Sequence, residues 1–265
     1  MRSALAIVFV LAATAASALT PPPYQRVLVP LSVAELAGAN GSRWTTELWA
    51  VNHSGEAAWV APLPCIVSSA SICADQIDIP AGRSVRLPPL GNASYPGVLA
   101  LIPAWNAVSL TLHVRDLSKQ SESWGTEIPV VRESEFFTRP TSASGIAFGR
   151  DYRHTLRLYA LLDNRPSVQY RVKLYGITAA EDRLLREQVV TLVAPPAPPP
   201  NRIGTLPAQT TLTDFFNVAA PDVDRVRLTI DLVTDPLALQ APVPYWGFVS
   251  VTNNVTQQVT TVTPR

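Results

Sequence analysis

Three histidines, His53, His113 and His154, are the imidazoles this chain has for acid–base work or metal binding. A hydrolytic triad needs a nucleophile beside such a base, and an acid to orient the base. His53 falls in the turn-like segment Asn52-His-Ser-Gly-Glu56, His113 on the outward side of an alternating segment, and His154 in a second alternating segment. No Gly-x-Ser-x-Gly elbow occurs, so all three read as structural or surface residues. Carboxylates can act in pairs, as in glycosidases. Asp75 with Asp78 and Asp222 with Asp224 are close in sequence, but each pair sits in a turn-like segment. A solvated loop is the plainest reading there, and a calcium site the next. No phosphate-cradling loop, dinucleotide fingerprint or metalloprotease motif is present. The expectation is a protein with no catalytic residues, no cofactor and no metal.

The two cysteines, Cys65 and Cys73, form a close even pair. In an exported protein this is most simply a disulfide closing one loop, since a zinc site would need further ligands nearby. Aromatic residues give one further constellation. Trp49 projects from the face opposite Leu48, Trp59 follows across an expected Asn52–Glu56 hairpin, and Tyr159 and Tyr170 fall at similar places later in the chain. Exposed on a sheet, such residues could stack on sugar rings; covered, they would pack between sheets or modules, which is the favoured expectation.

What must position these residues is a set of strands. Arg43–Val51 (RWTTELWAV) matches Arg153–Leu161 (RHTLRLYAL), Val108–Asp116 (VSLTLHVRD) matches the segment from Val226 (VRLTIDLVT), and Trp124-Gly125 matches Trp246-Gly247, all in the same order. The matched segments alternate in polarity with the period of a half-buried strand. One face carries Thr46, Leu48 and Ala50, and correspondingly Leu156, Leu158 and Ala160; the later match sets Leu110, Leu112 and Val114 against Leu228, Ile230 and Leu232. Turn signals at 52–56, 80–84, 163–167 and 178–183 punctuate them. Helix signal is nearly absent, and 211–218 reads as a single turn. The proline run 194–201 reads as a stiff extended spacer within a strand connection. The fold class expected is all-β: two tandem antiparallel β-sandwich domains, 19–140 and 141–265, with the boundary in Thr138–Gly145.

Residues 1–18 carry one basic residue, Arg2, an apolar stretch, and Ala16 and Ala18 around Ser17. That is the pattern of a secretory signal peptide cleaved after Ala18, and its apolar run is shorter than the ~20 residues a membrane span needs. No later run reaches membrane length, so no membrane span is expected in the mature chain. Loss of Arg2 leaves basic and acidic residues equal in number. Neutrality argues against a nucleic-acid partner, which requires a concentrated basic surface.

Leu28–Asn52 (LVPLSVAELAGANGSRWTTELWAVN) resembles the opening of a module common in secreted proteins of soil bacteria such as acidobacteria, and Tyr245–Pro264 (YWGFVSVTNNVTQQVTTVTP) resembles its final strands. The resemblance implies an immunoglobulin-like or fibronectin-like sandwich, secreted, without a settled activity and without catalytic residues to carry over. The function expected is a secreted, non-catalytic structural or protein-interaction module of the bacterial envelope or extracellular space, periplasmic or extracellular, whose partner is an unknown protein or glycan. One alternative is a carbohydrate-binding protein using the aromatics. Another is a two-domain periplasmic chaperone, for which Arg150 and Arg153 near the boundary would be the basic anchor.

Overall fold

The computed structural model describes residues 24–37, 42–67, 73–103, 107–118, 125–179, 181–233 and 242–265. The signal-peptide segment 1–18 and Trp124 lie outside the described residues. The chain is all-β, and its paired strands run antiparallel. Its first half contains β1 (Tyr24–Val29), β2 (Leu36–Ala37), β3 (Arg43–Asn52), β4 (Ala58–Pro62), β5 (Cys65–Ile66), β6 (Ile77–Ile79), β7 (Ser84–Leu87), β8 (Val98–Pro103), β9 (Val108–Asp116), β10 (Thr126–Ile128) and β11 (Val131–Arg132). The second contains β12 (Thr141–Ala147), β13 (Tyr152–Ala160), β14 (Ser167–Ile177), β15 (Asp182–Val193), β16 (Arg202–Ile203), β17 (Ala208–Leu212), β18 (Arg225–Leu232), β19 (Tyr245–Asn253) and β20 (Val259–Val262).

Alternation along these strands sends one side chain in two inward, and the inward sets meet between paired sheets. In the first half, Leu28, Val60 and Leu99 of one sheet share a core with Leu48 and Leu112 of the other. In the second, Ile146, Val172 and Leu228 do so with Leu156, Leu158 and Val249. Leu110 and Leu232, expected inside, are only partly buried, each lying toward the end of its strand.

The halves repeat one strand order. One sheet runs β1-β8-β4-β6 in the first half and β12-β18-β14-β15 in the second; the other runs β7-β3-β9-β10 and β17-β13-β19-β20. With the short β2, β5, β11 and β16 left aside, eight strands remain in each half, and numbered in chain order both halves read 1-6-3-4 and 5-2-7-8. The match of β3 to β13 is therefore one of equivalent strands. The match of Val108–Asp116 to the segment from Val226 is not: it sets the seventh strand of one half against the sixth of the other. Likewise Gly125 precedes an eighth strand, whereas Trp246-Gly247 lies in a seventh. Sixth and seventh strands share the same period of two, and local alternation carries no record of which sheet a strand joins.

Two further corrections concern connections. The Asn52–Glu56 segment is no hairpin, because β3 and β4 belong to different sheets. The buried Asn52 holds this crossing: its Nδ2 donates to the carbonyls of Glu56 (2.7 Å) and Ile79 (2.9 Å), and its Oδ1 accepts from the Ser54 N–H (2.9 Å). The boundary segment 138–145 is not all linker, since β12 begins at Thr141 and pairs with β18. Its alternation is broken by a bulge between Ala143 and Ile146, where Gly145 adopts φ +73°, a conformation that costs a side-chain-bearing residue dearly.

Candidate functional site

The seam between the halves is built largely on the outer face of the sheet β17-β13-β19-β20. Residues paired directly across antiparallel strands share a face. Tyr159 pairs with Trp246 and Gln209, Arg157 with Phe248 and Thr211, Thr155 with Ser250, and Arg153 with Thr252. This face changes character along β13. Its aromatic end is covered by the first half: Tyr159, Trp246 and Phe248 belong to the first half's core. The Tyr159 hydroxyl donates to the Pro30 carbonyl, and burial pushes its pKa up to about 12. The seam is also tied at its edges. The Thr126 hydroxyl donates to the Val259 carbonyl (2.7 Å), the Thr261 hydroxyl to that of Glu127 (3.2 Å), and β5 pairs with β16.

The polar end of the same face lines a cleft of about 410 Å³. Leu31, Trp44, Val114 and Ile128 of the first half form an apolar wall; Arg153, Thr155, Arg157, Thr211, Ser250 and Thr252 of the second form a mainly polar one, with Phe248 and Val259 among them. Among the described residues, no carboxylate lines it. Arg157 Nη1 donates to the Thr211 hydroxyl (3.0 Å), and Arg153 Nη2 to Gln257 Oε1 (3.1 Å). Arg153 Nη1 is buried and has no hydrogen-bond partner among the described residues.

The aromatic residues singled out from sequence do not form one surface. Trp49 is 38 % exposed on β3, between Arg86 and Thr111 of its neighbouring strands. Trp59 lies half-buried on β4, in the other sheet, against the first half's core. Tyr159 is 1 % exposed in the seam, and Tyr170 is fully buried in the second half's core against Tyr245, with its hydroxyl donating to the Val243 carbonyl (3.3 Å). Burial drives the Tyr170 pKa upward. Trp49 and Trp59 therefore lie in different sheets, and Tyr159 and Tyr170 are both buried, so neither expected pair shares one exposed sheet face. Trp49 and Tyr159 do occupy equivalent positions on equivalent strands; Trp59 and Tyr170 do not share a facing, since Tyr170 points into its core while Trp59 alternates with the buried Ala58 and Val60.

The remaining candidates are engaged locally. His154 Nε2–H donates to the Ala147 carbonyl (2.6 Å) and its ring stacks on Phe216, 4.7 Å between centroids; burial lowers its pKa. His53 Nε2 meets the Ser109 hydroxyl at 2.8 Å in an exposed position, and among the described residues no carboxylate orients its ring. His113 lies outward between Glu47 and Glu127 of the flanking strands. Asp222 pairs with Arg183 (2.8 Å), which holds its carboxyl below the usual range. Asp75 accepts from the Ile66 N–H (3.1 Å) and lies 3.5 Å from Arg202, and Asp78 accepts from Gln76 (3.0 Å). Asp224 gives its carbonyl to the Phe148 N–H (2.9 Å). Arg150 stands in solvent, whereas Arg153 lines the cleft.

Cys65 and Cys73 are both buried, with Cα atoms 5.5 Å apart, and are joined as a disulfide. Their sulfurs and an Asp75 oxygen lie within 4.8 Å of one another, but disulfide sulfurs are not the thiolates that bind metals. No helix of the described residues is long and apolar enough to cross a membrane. Sequence reasoning passed over Thr155, Ser250, Thr252 and Gln209, ordinary polar residues on the outward face of strands. No local signal distinguishes them from solvent-facing residues elsewhere. No family model, curated protein or solved structure matches the chain at a significant level.

Proposed function

We propose that the chain is an exported, non-catalytic binding protein made of two copies of one β-sandwich module, taking its ligand in the cleft between them. The observation that carries this reading is the cleft itself: about 410 Å³, at the seam, with one apolar wall and one of hydroxyls and guanidinium groups. Small-molecule sites run from ~300 to ~1,000 Å³, favour seams between domains, and combine apolar lining with a few convergent polar groups. The volume suits a small molecule or the end of a chain, and is too small for a folded partner.

Duplication is supported by the shared strand order. Within each half the second strand pairs with the fifth and the third with the sixth, as in immunoglobulin sandwiches; the first lies beside the sixth and the seventh beside the second, where the immunoglobulin order has them the other way about. We therefore place each module as an immunoglobulin-like core with exchanged outer strands, the kind of sandwich that the resemblance to secreted soil-bacterial modules suggested. Export to the periplasm or beyond is supported by residues 1–18 and by the Cys65–Cys73 pair.

The test is a ligand screen of the exported protein, by glycan array and by pull-down of envelope material, run beside a Thr155→Trp variant that fills the cleft. Binding lost in Thr155→Trp at unchanged melting temperature is expected. A ligand retained in full by that variant places the site elsewhere and overturns the reading.

A further inference from the structure

The cleft's charge is unbalanced in a way that names its ligand. Arg153 and Arg157 project from the same face of β13 with Thr155 between them, and among the described residues the cleft lining holds no acid to neutralise either. Arg157 spends its Nη1 on a neutral hydroxyl, Thr211, and Arg153 its Nη2 on a neutral amide, Gln257. Arg153 lines the cleft, and its Nη1, covered in this conformation, has no acceptor among the described residues. A guanidinium is permanently charged, and the partner that best satisfies its fork is a carboxylate. Around it, Thr155, Ser250, Thr252 and Thr211 present hydroxyls, each able both to donate and to accept, while Trp44 and Leu31 face them across the cleft. A molecule matching both walls has a carboxylate, several hydroxyls, and an apolar face.

We propose, resting on the assignment of the cleft as the binding site, that its ligand is a carboxylate-bearing saccharide, with the sugar acid on Arg153 and the ring between the hydroxyl wall and Trp44. An extended peptide can bring carboxylates at its end or on Asp and Glu, but not a compact ring bearing several hydroxyls, and a phosphate would leave the apolar wall unused. Arg153 thereby becomes the specificity-determining residue, separating acidic from neutral sugars. Arg157, held by Thr211, supplies a second positive charge further along the face.

The experiment is calorimetric titration of the exported protein with digalacturonate and with the neutral digalactose of the same linkage. Digalacturonate is expected to bind, to weaken as salt is raised, and to outcompete the neutral sugar about tenfold or more, the scale set by a charge-assisted hydrogen-bond pair. Arg153→Gln should erase that preference while leaving the melting temperature unlowered; should that variant misfold, Ser250→Val tests the hydroxyl wall by lowering affinity for both sugars. Equal affinity for acidic and neutral sugars, or an acidic preference that survives Arg153→Gln, overturns the proposal. Binding of neither sugar, with another screened ligand lost in Thr155→Trp, overturns it while the cleft reading stands; a ligand indifferent to Thr155→Trp sinks both.

Discussion

The side-chain amide of Gln209 closes two hydrogen bonds on the backbone of Gly97, its Nε2 donating to the Gly97 carbonyl and its Oε1 accepting from the Gly97 N–H, both at 3.0 Å. Gln209 lies on β17 in the second half and Gly97 enters β8 in the first. The amide thus completes the pairing that a neighbouring strand would otherwise provide, and it ties the halves beside Tyr159. Only glycine fits there, because a Cβ on residue 97 would lie 2.4 Å from Tyr159 Cε1.

Gly97→Ala is expected to destabilise the protein by about 1–3 kcal/mol, the usual cost of overpacking. Tyr159 cannot retreat, since its hydroxyl is bonded to Pro30 and its ring packs near Trp246, 6.1 Å between centroids. Gln209→Ala removes the partners of two backbone groups at a largely covered site and should cost a similar ~1–3 kcal/mol. Urea unfolding of both variants measures this; a parental midpoint for Gly97→Ala would show that the seam is not closed as described.

Equivalent positions in the two halves should respond unequally. Tyr159→Ala empties a fully buried site and should cost about 3–5 kcal/mol, whereas Trp49→Ala, on a residue 38 % exposed, should cost about 1–2 kcal/mol. Thermal melts of the pair decide the matter, and equal losses would mean that Trp49 is covered in solution.

Reduction of Cys65–Cys73 should lower stability by up to ~2–3 kcal/mol in the chain-entropy picture, given a sequence separation of 8. The effect should reach the seam, because Cys65 pairs with Ile203 of β16. Hydrogen exchange at Ile66 and Arg202 under reducing conditions reports it. Two free thiols in the oxidised, denatured protein would remove the bond altogether.

His154 should make the protein acid-sensitive above the carboxylate range. Burial lowers its folded pKa below the ordinary 6.5, so between the two values the unfolded chain binds a proton that the folded chain does not. Stability is therefore full above about pH 6.5 and declines as pH falls toward the folded value. Denaturant titrations from pH 7.5 to 5 should show this decline, and His154→Phe, which keeps the stacking on Phe216, should flatten it. An unchanged slope in that variant would exonerate the histidine.

How much of this was legible beforehand depends on the range of the interaction. Alternation placed Leu48, Ala50, Leu156, Leu158, Leu228 and Ile230 inside correctly, because the two-residue period is a local property of an extended backbone. The cysteine pair was readable for a like reason: the loop it closes is short and the compartment argument needs no structure. By itself, then, the sequence determined the strand class, the inward faces and the bridge. Which strand neighbours which was decided only in three dimensions. A seventh strand pairs with a second through the backbone, whose hydrogen-bonding groups are the same in every residue but proline, so Val108–Asp116 could be mistaken for an equivalent of the segment from Val226. The fate of outward faces was decided there as well. Trp49 and Tyr159 are equivalent in sequence and strand, yet one meets solvent and the other Pro30, because only the second half's outer sheet is covered by its neighbour. Where that cover stops along β13, Arg153 and Arg157 are left facing the cleft, a consequence of how two finished surfaces meet and of nothing encoded beside them in the chain.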